Sequence, residues 1–272
     1  INFLRGRSSR NKYLRGSDIK FSMKFLFLLL FCFNVHAVAP IGLNEVTPYG
    51  LVYWYTCNEG KTTNILDYSG YNFTAYTTNA SNLRTNGIVG GAVYTAQTNY
   101  FTSTASPTNL FKTNFTICAW VQFDIAGSYP MMVTASYGAP SFAPFEFRLA
   151  STTGRPELLI NSGGLDLVYA NSIVGQGWTF VTARYDGVTA TIWTNAVPVS
   201  SSAYSTALTF TNGHMLAIAN RGQPQQVGLA AGAWGNNYYP ATGLIDDVRI
   251  YNRALETNEI IRIYNKRAGS QH

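Results

Sequence analysis

Trp234-Gly235-Asn236-Asn237-Tyr238-Tyr239 carries the residue types best suited to molecular recognition in this sequence. Indole and phenol rings stack on apolar C–H faces, while side-chain amides both donate and accept hydrogen bonds. A polyhydroxylated ligand needs both, so the stretch reads as a carbohydrate platform. Arg221, Gln225 and Gln226 open the same Gly-rich connection, and Tyr129, in Gly127-Ser128-Tyr129-Pro130, offers a second tyrosine-bearing loop. The plainer alternative is that Tyr238 and Tyr239 merely cover a sheet edge.

Catalytic chemistry is less well provided for. Retaining glycoside hydrolysis needs two carboxyl groups about 5–5.5 Å apart, readily supplied by acids at alternate positions of one strand. No two acidic residues stand at i and i+2 anywhere in the chain. Asp246 and Asp247 are adjacent, and successive strand residues point to opposite faces. Carboxylates from neighbouring strands remain the one route to a pair. His214 follows the turn signal Asn212-Gly213 and has no acid or nucleophile beside it, so its location speaks for a turn or strand edge. Apart from His36 near the start of the chain and the C-terminal His272, it is the only histidine, and this set does not form a zinc spacing.

The elements that must position these residues begin after a distinct leader. Met23-Lys24, nine apolar residues from Phe25 to Phe33 and then Val35-His36-Ala37 make a secretory signal sequence with cleavage after Ala37. The apolar run is too short for a stable membrane span. Residues 1–22 read as an upstream extension, and residues 38–272 as a single domain, exported to the extracellular space or cell surface. Residues 1–37 hold seven Lys/Arg and one Asp, whereas residues 38–272 hold twelve basic and twelve acidic residues. The formal charge of +6 therefore belongs to the leader, and the neutral remainder gives no electrostatic reason to bind nucleic acid. Cys57 and Cys118 lie in strand-like segments; in an exported protein they could pair, the alternative being two buried thiols.

Short β-branched and aromatic runs alternate with Gly, Asn, Pro and Ser clusters, the pattern of a sandwich or barrel. Strands are expected at 51–57, 92–94, 100–102, 115–123, 131–136, 145–150, 157–160, 178–185, 188–194, 214–218 and 244–251, with one closing helix after 255. Asp186-Gly187 predicts a two-residue hairpin loop, which would set Phe180 opposite Trp193 and Arg184 opposite Thr189. In the last strand the even positions Leu244, Asp246, Val248 and Ile250 form the apolar face, so Asp246 needs donors or a cation.

Five segments, in order, resemble one family. Gly50–Tyr55 with Asn58-Glu59-Gly60 looks like an opening strand and acidic turn, and Asp67-Tyr68-Ser69-Gly70-Tyr71-Asn72 like the loop after it. Phe115–Val121 with Trp120 looks like the central strand. Trp178–Val181 with Tyr185-Asp186-Gly187 looks like the late hairpin, and Gly243–Leu255 with Glu259, Ile260 and Tyr264 like the C-terminal signature. The family is the laminin G-like, concanavalin A-like lectin/glucanase jelly roll. The resemblance implies an all-β fold, a two-sheet antiparallel jelly-roll sandwich with a short C-terminal helix, its first and last strands side by side. It departs at Asn195-Ala196, where the family turns on Asn-Gly, so a longer turn or another type is expected there. The family often carries structural calcium near the chain ends, and Asp67 and Asp246 are the candidate ligands, against an Asx-turn for Asp67 and backbone donors or an Arg for Asp246. The resemblance does not name a ligand. The expectation is a secreted, non-catalytic module recognising a glycan or other extracellular polymer, with a protein-binding adhesive domain and a polysaccharide-acting enzyme as alternatives.

Overall fold

Alternation of apolar and polar residues writes most of this architecture. The computed structural model describes residues 48–60, 62–76, 84–96, 101–103, 110–111, 113–125, 127, 129–136, 143–161, 164–210, 215–220 and 239–266. The expected leader, residues 23–37, and its expected cleavage site lie outside the described residues. In chain order the first eight strands are β1 (Leu51–Tyr55), β2 (Asn64–Ile65), β3 (Ala75–Tyr76), β4 (Arg84–Asn86), β5 (Gly91–Thr95), β6 (Phe101–Ser103), β7 (Phe115–Ile125) and β8 (Met131–Ser136). They are followed by β9 (Phe145–Leu149), β10 (Pro156–Ile160), β11 (Leu165–Val168), β12 (Thr179–Tyr185), β13 (Thr189–Thr194), β14 (Val197–Ala203), β15 (Met215–Ile218) and β16 (Thr242–Tyr251). Helix α1 (Thr257–Asn265) closes the described chain.

Two antiparallel sheets result. One runs β14-β13-β12-β7-β16-β5-β4, with β1 also paired to β16; the other runs β11-β10-β9-β8-β15-β6-β3-β2. The first and last strands are thus side by side, as expected. Ile117, Ala119, Val121 and Phe123 of β7 face Phe145, Phe147, Leu158 and Ile160 of the second sheet in one buried core. The alternate β7 residues Cys118 and Trp120 point outward, where Leu255, Ile260 and Ile263 cover them. The centre of the first sheet is therefore buried on both faces, and Tyr264 of the helix stacks on Trp120 with ring centroids 5.4 Å apart.

This layering decides the cysteines. Cys57 sits in the core between the sheets and Cys118 in the outer cluster beneath the helix. Both are buried thiols and form no disulfide, so the structure corrects the candidate pairing of Cys57 with Cys118 to its alternative, two thiols lodged in separate apolar clusters. Burial pushes the Cys118 thiol up to about 12, the behaviour of a small hydrophobe rather than a reactive group.

Register supplies two further corrections. The β12–β13 hairpin pairs Thr182 with Trp193 and Tyr185 with Ala190, a shift of two residues from the expected pairing. Asp186 stands before the turn, its carboxylate accepting from the backbone N–H of Val188 and Thr189, so Gly187-Val188 forms the loop. A two-residue shift keeps every side chain on its face. Asn195-Ala196 makes a tight two-residue turn, with Thr194 paired to Val197 and φ of 50° and 61° at the two central residues. The turn is not lengthened; Ala196 takes the left-handed conformation where glycine would be unstrained.

Candidate functional site

The second sheet turns a charged face away from the core. In β9 the Phe-Glu-Phe-Arg-Leu sequence alternates, so Phe145, Phe147 and Leu149 enter the core while Glu146 and Arg148 point out. Register brings Glu157 of β10 opposite Arg148, and Leu159 opposite both Glu146 and Asp166. The guanidinium of Arg148 then bridges two carboxylates, donating from Nη1 to Glu146 at 3.0 Å and from Nε to Glu157. All three side chains are nearly hidden, with 12% of Arg148 exposed and less of either acid. Burial raises the Glu157 carboxyl above its ordinary range, Arg148 opposes that shift, and the neighbouring Asp166 adds to it.

Tyr129 and Tyr239 meet above this array. Their rings pack edge to face, centroids 6.1 Å apart, and the Arg148 guanidinium lies 4.3 Å from the centre of the Tyr129 ring. The backbone ties the two together as well: Met131, two residues after Tyr129, donates its N–H to the carbonyl of Tyr239 at 2.9 Å. Tyr129 remains 36% exposed. Of the residues singled out for ligand binding, the structure brings Tyr129 and Tyr239 together; Arg221, Trp234, Asn236, Asn237 and Tyr238 lie outside the described residues. Glu146, Arg148 and Glu157 were not singled out. Their signal was available in the alternation of residues 145–149, but only strand order shows that Glu157 joins them.

Asp67 forms the Asx-turn named as its alternative role. Its Oδ1 accepts from the backbone N–H of Trp54 and Ser69, and its Oδ2 from the Ser69 hydroxyl and the Phe73 N–H, at 2.8–3.0 Å. Asp246 takes its donors elsewhere, its Oδ2 accepting from the N–H groups of Ile88 and Val89 at 2.7 and 2.8 Å. Among the described residues no group of three or more His, Cys, Asp or Glu is placed to hold a metal ion.

The acidic pair of the last strand departs from simple alternation. Asp246 pairs with Trp120 and Arg249 with Cys118, so two residues of β16, Asp247 and Val248, stand against one residue of β7. This bulge, with Asp247 at φ 46°, switches the strand's parity. Ile245, Val248 and Ile250 all reach the core, and Leu244 does not. Asp246 and Asp247 accordingly share the outer face of the first sheet instead of opposing each other. Asp247 accepts from the Trp54 indole at 2.8 Å and from Arg249 at 2.9 Å, with Arg249 lying over the Trp54 ring. Burial foremost, and the Asp247 charge beside it, push the Asp246 carboxyl up to about 7 against the opposing pull of backbone N–H groups.

Comparison with curated proteins finds no match in sequence. Solved structures share the fold. The binding domain of Paraclostridial Mosquitocidal Protein 1 superposes with TM-score 0.59 at 13% identity, over 80% of this chain and 52% of that one. Domain 4 of an extracellular arabinanase from Geobacillus stearothermophilus, solved in complex with arabinotriose, gives TM-score 0.57 at 16% identity, over 79% of this chain and 98% of that one. A Trypanosoma rangeli sialidase in complex with an inhibitor gives TM-score 0.57 at 11% identity, over 92% of this chain and 39% of that one. The chain spans about half the length of the mosquitocidal binding domain. A family model described as the concanavalin A-like lectin/glucanases superfamily matches residues 95–261, more than half of the sequence, and the chain belongs to that superfamily.

Proposed function

We propose that this protein is an exported, non-catalytic carbohydrate-binding module that takes its ligand at the Tyr129–Tyr239 edge of the second sheet. The observation that carries this reading is the pair of tyrosines meeting edge to face over an Arg148 guanidinium held by Glu146 and Glu157. An aromatic face beside fixed polar groups suits a sugar ring, whose C–H faces stack and whose hydroxyls need directed partners. The arabinanase domain solved with arabinotriose supports this reading by likeness of fold. Glu146 and Glu157 converge from neighbouring strands, yet both bond the same guanidinium. That arrangement serves to anchor Arg148, not to flank a scissile bond.

A glycan array tests the reading. Tyr129→Ala should weaken retention of any bound glycan by at least tenfold while the chain still unfolds cooperatively, since the residue stands at the rim with 36% of its surface exposed. Retention that survives the substitution would move the site elsewhere. A second reading, binding of a protein partner, rests on Leu66, Tyr68 and Tyr71, which stay exposed on the loop that Asp67 pins.

A further inference from the structure

A second recess lies apart from the tyrosine edge. It is walled by the loop joining β11 to β12 and by the β13–β14 turn, and encloses about 400 Å³. That size falls within the range of small-ligand pockets. Its lining includes Tyr169, Asn171, Ile173, Gln176, Thr194 and Asn195, and among the described residues no charged side chain borders it.

The walls are held in place from outside the recess. Ile173 donates its N–H to the carbonyl of Gly154 at 2.9 Å, and Gly175 donates to Phe123 at 3.1 Å, tying the β11–β12 loop to two other elements. Gly154 permits the first of these contacts: it has φ +65°, and a Cβ there would stand 2.5 Å from Ser172 Oγ and from a Val174 methyl. On the opposite wall Asn195 Oδ1 accepts from the Phe180 N–H at 3.1 Å, which fixes the orientation of its amide. The recess therefore exists before any ligand arrives, and little ordering opposes binding.

Its chemistry narrows the ligand. Amide and hydroxyl groups supply donors and acceptors together, as a ring of hydroxyl groups requires, while Ile173 and the Tyr169 ring offer a limited apolar surface. The described lining carries no charged side chain to offset desolvation of an anion or cation. We infer that this recess is a second binding site, taking a neutral sugar unit and rejecting its carboxylated counterpart.

NMR titration of the full chain with methyl glycosides of glucose, galactose, mannose, xylose and arabinose, and with methyl galacturonoside, tests the inference. Expected are saturable shifts of the Asn171, Gln176 and Asn195 side-chain amides with at least one neutral glycoside, and at least tenfold weaker binding of the galacturonoside than of the galactoside if the latter binds. Asn171→Ala and Gln176→Ala, both at exposed positions, should each weaken the response severalfold. The shifts should persist in Tyr129→Ala, which separates this site from the tyrosine edge. Amides unmoved by every neutral glycoside, equal binding of the galacturonoside, or shifts lost with Tyr129→Ala would each overturn the second site, the last while leaving the tyrosine site standing.

Discussion

Asp246 is held by Ile88 and Val89 on one oxygen, while its other oxygen is buried with no hydrogen-bond partner among the described residues. The cost of burying that charge is visible in a carboxyl pushed up to about 7 from its ordinary 3.8. Between those values the folded chain keeps a proton that the unfolded chain has released. Stability therefore falls as pH rises through this window, by up to about 4 kcal/mol from this group. Asp246→Asn keeps an oxygen for the two N–H groups and removes the titration. Denaturant unfolding at pH 5 and pH 8 should show a smaller loss of stability in the variant than in the wild type; equal losses would rule the explanation out. Gly87 shows how tight the surroundings are, since a Cβ there would come within 2.5 Å of Asp246 Oδ2.

Turns, the bulge and the helix cap hold the elements in register. The β13–β14 turn places Ala196 at φ 61°, a conformation that costs an L-residue with a Cβ roughly 1–2 kcal/mol. Ala196→Gly should stabilise the chain by about 1 kcal/mol after the greater freedom of glycine in the unfolded state is allowed for. Chemical denaturation reads this directly, and a destabilised variant would mean that the Ala196 methyl packs usefully against the outer cluster. Helix α1 begins with a reciprocal capping box between Glu256 and Glu259. Glu259 accepts from the Glu256 N–H at 2.9 Å and grips Arg253 through two bonds of 2.7 Å. Pairing with Arg253 lowers the Glu259 carboxyl, so this contribution is present above the ordinary carboxylate range and is lost as pH falls below it.

Across the molecule, the two sheets differ in what their outer faces can do. The centre of the first is covered by Leu255, Ile260 and Ile263, whereas the second carries the Glu146–Arg148–Glu157 array and the tyrosine edge. Among the described residues no helix is long and apolar enough to cross a membrane. Asp67 closes its loop with four N–H and O–H donors, a task that needs no metal. EDTA should accordingly leave the melting temperature unchanged within about 1 °C; a fall of several degrees on chelation, reversed by calcium, would return Asp67 and Asp246 to the role of ligands.

Eleven strands and the closing helix were legible in the residues themselves, while the side-by-side first and last strands were implied by the family resemblance. Hydrophobic alternation and turn residues are local signals, and they survive any arrangement of neighbours. Of the other five, β2, β3, β4 and β11 run for only two to four residues, too few for such a signal, and β14 with Pro198 and three serines lacks apolar alternation. The tyrosine edge was half legible, through Tyr129 and Tyr239, while its charged support was not. Glu146 and Glu157 become neighbours because β9 and β10 pair in one register. Asp246 and Asp247 share a face because a bulge, invisible to a period-two pattern, adds one residue to β16. Sequence alone determined which residues alternate; tertiary structure decided which alternating rows meet, because adjacency between strands depends on the whole sheet rather than on any stretch within it.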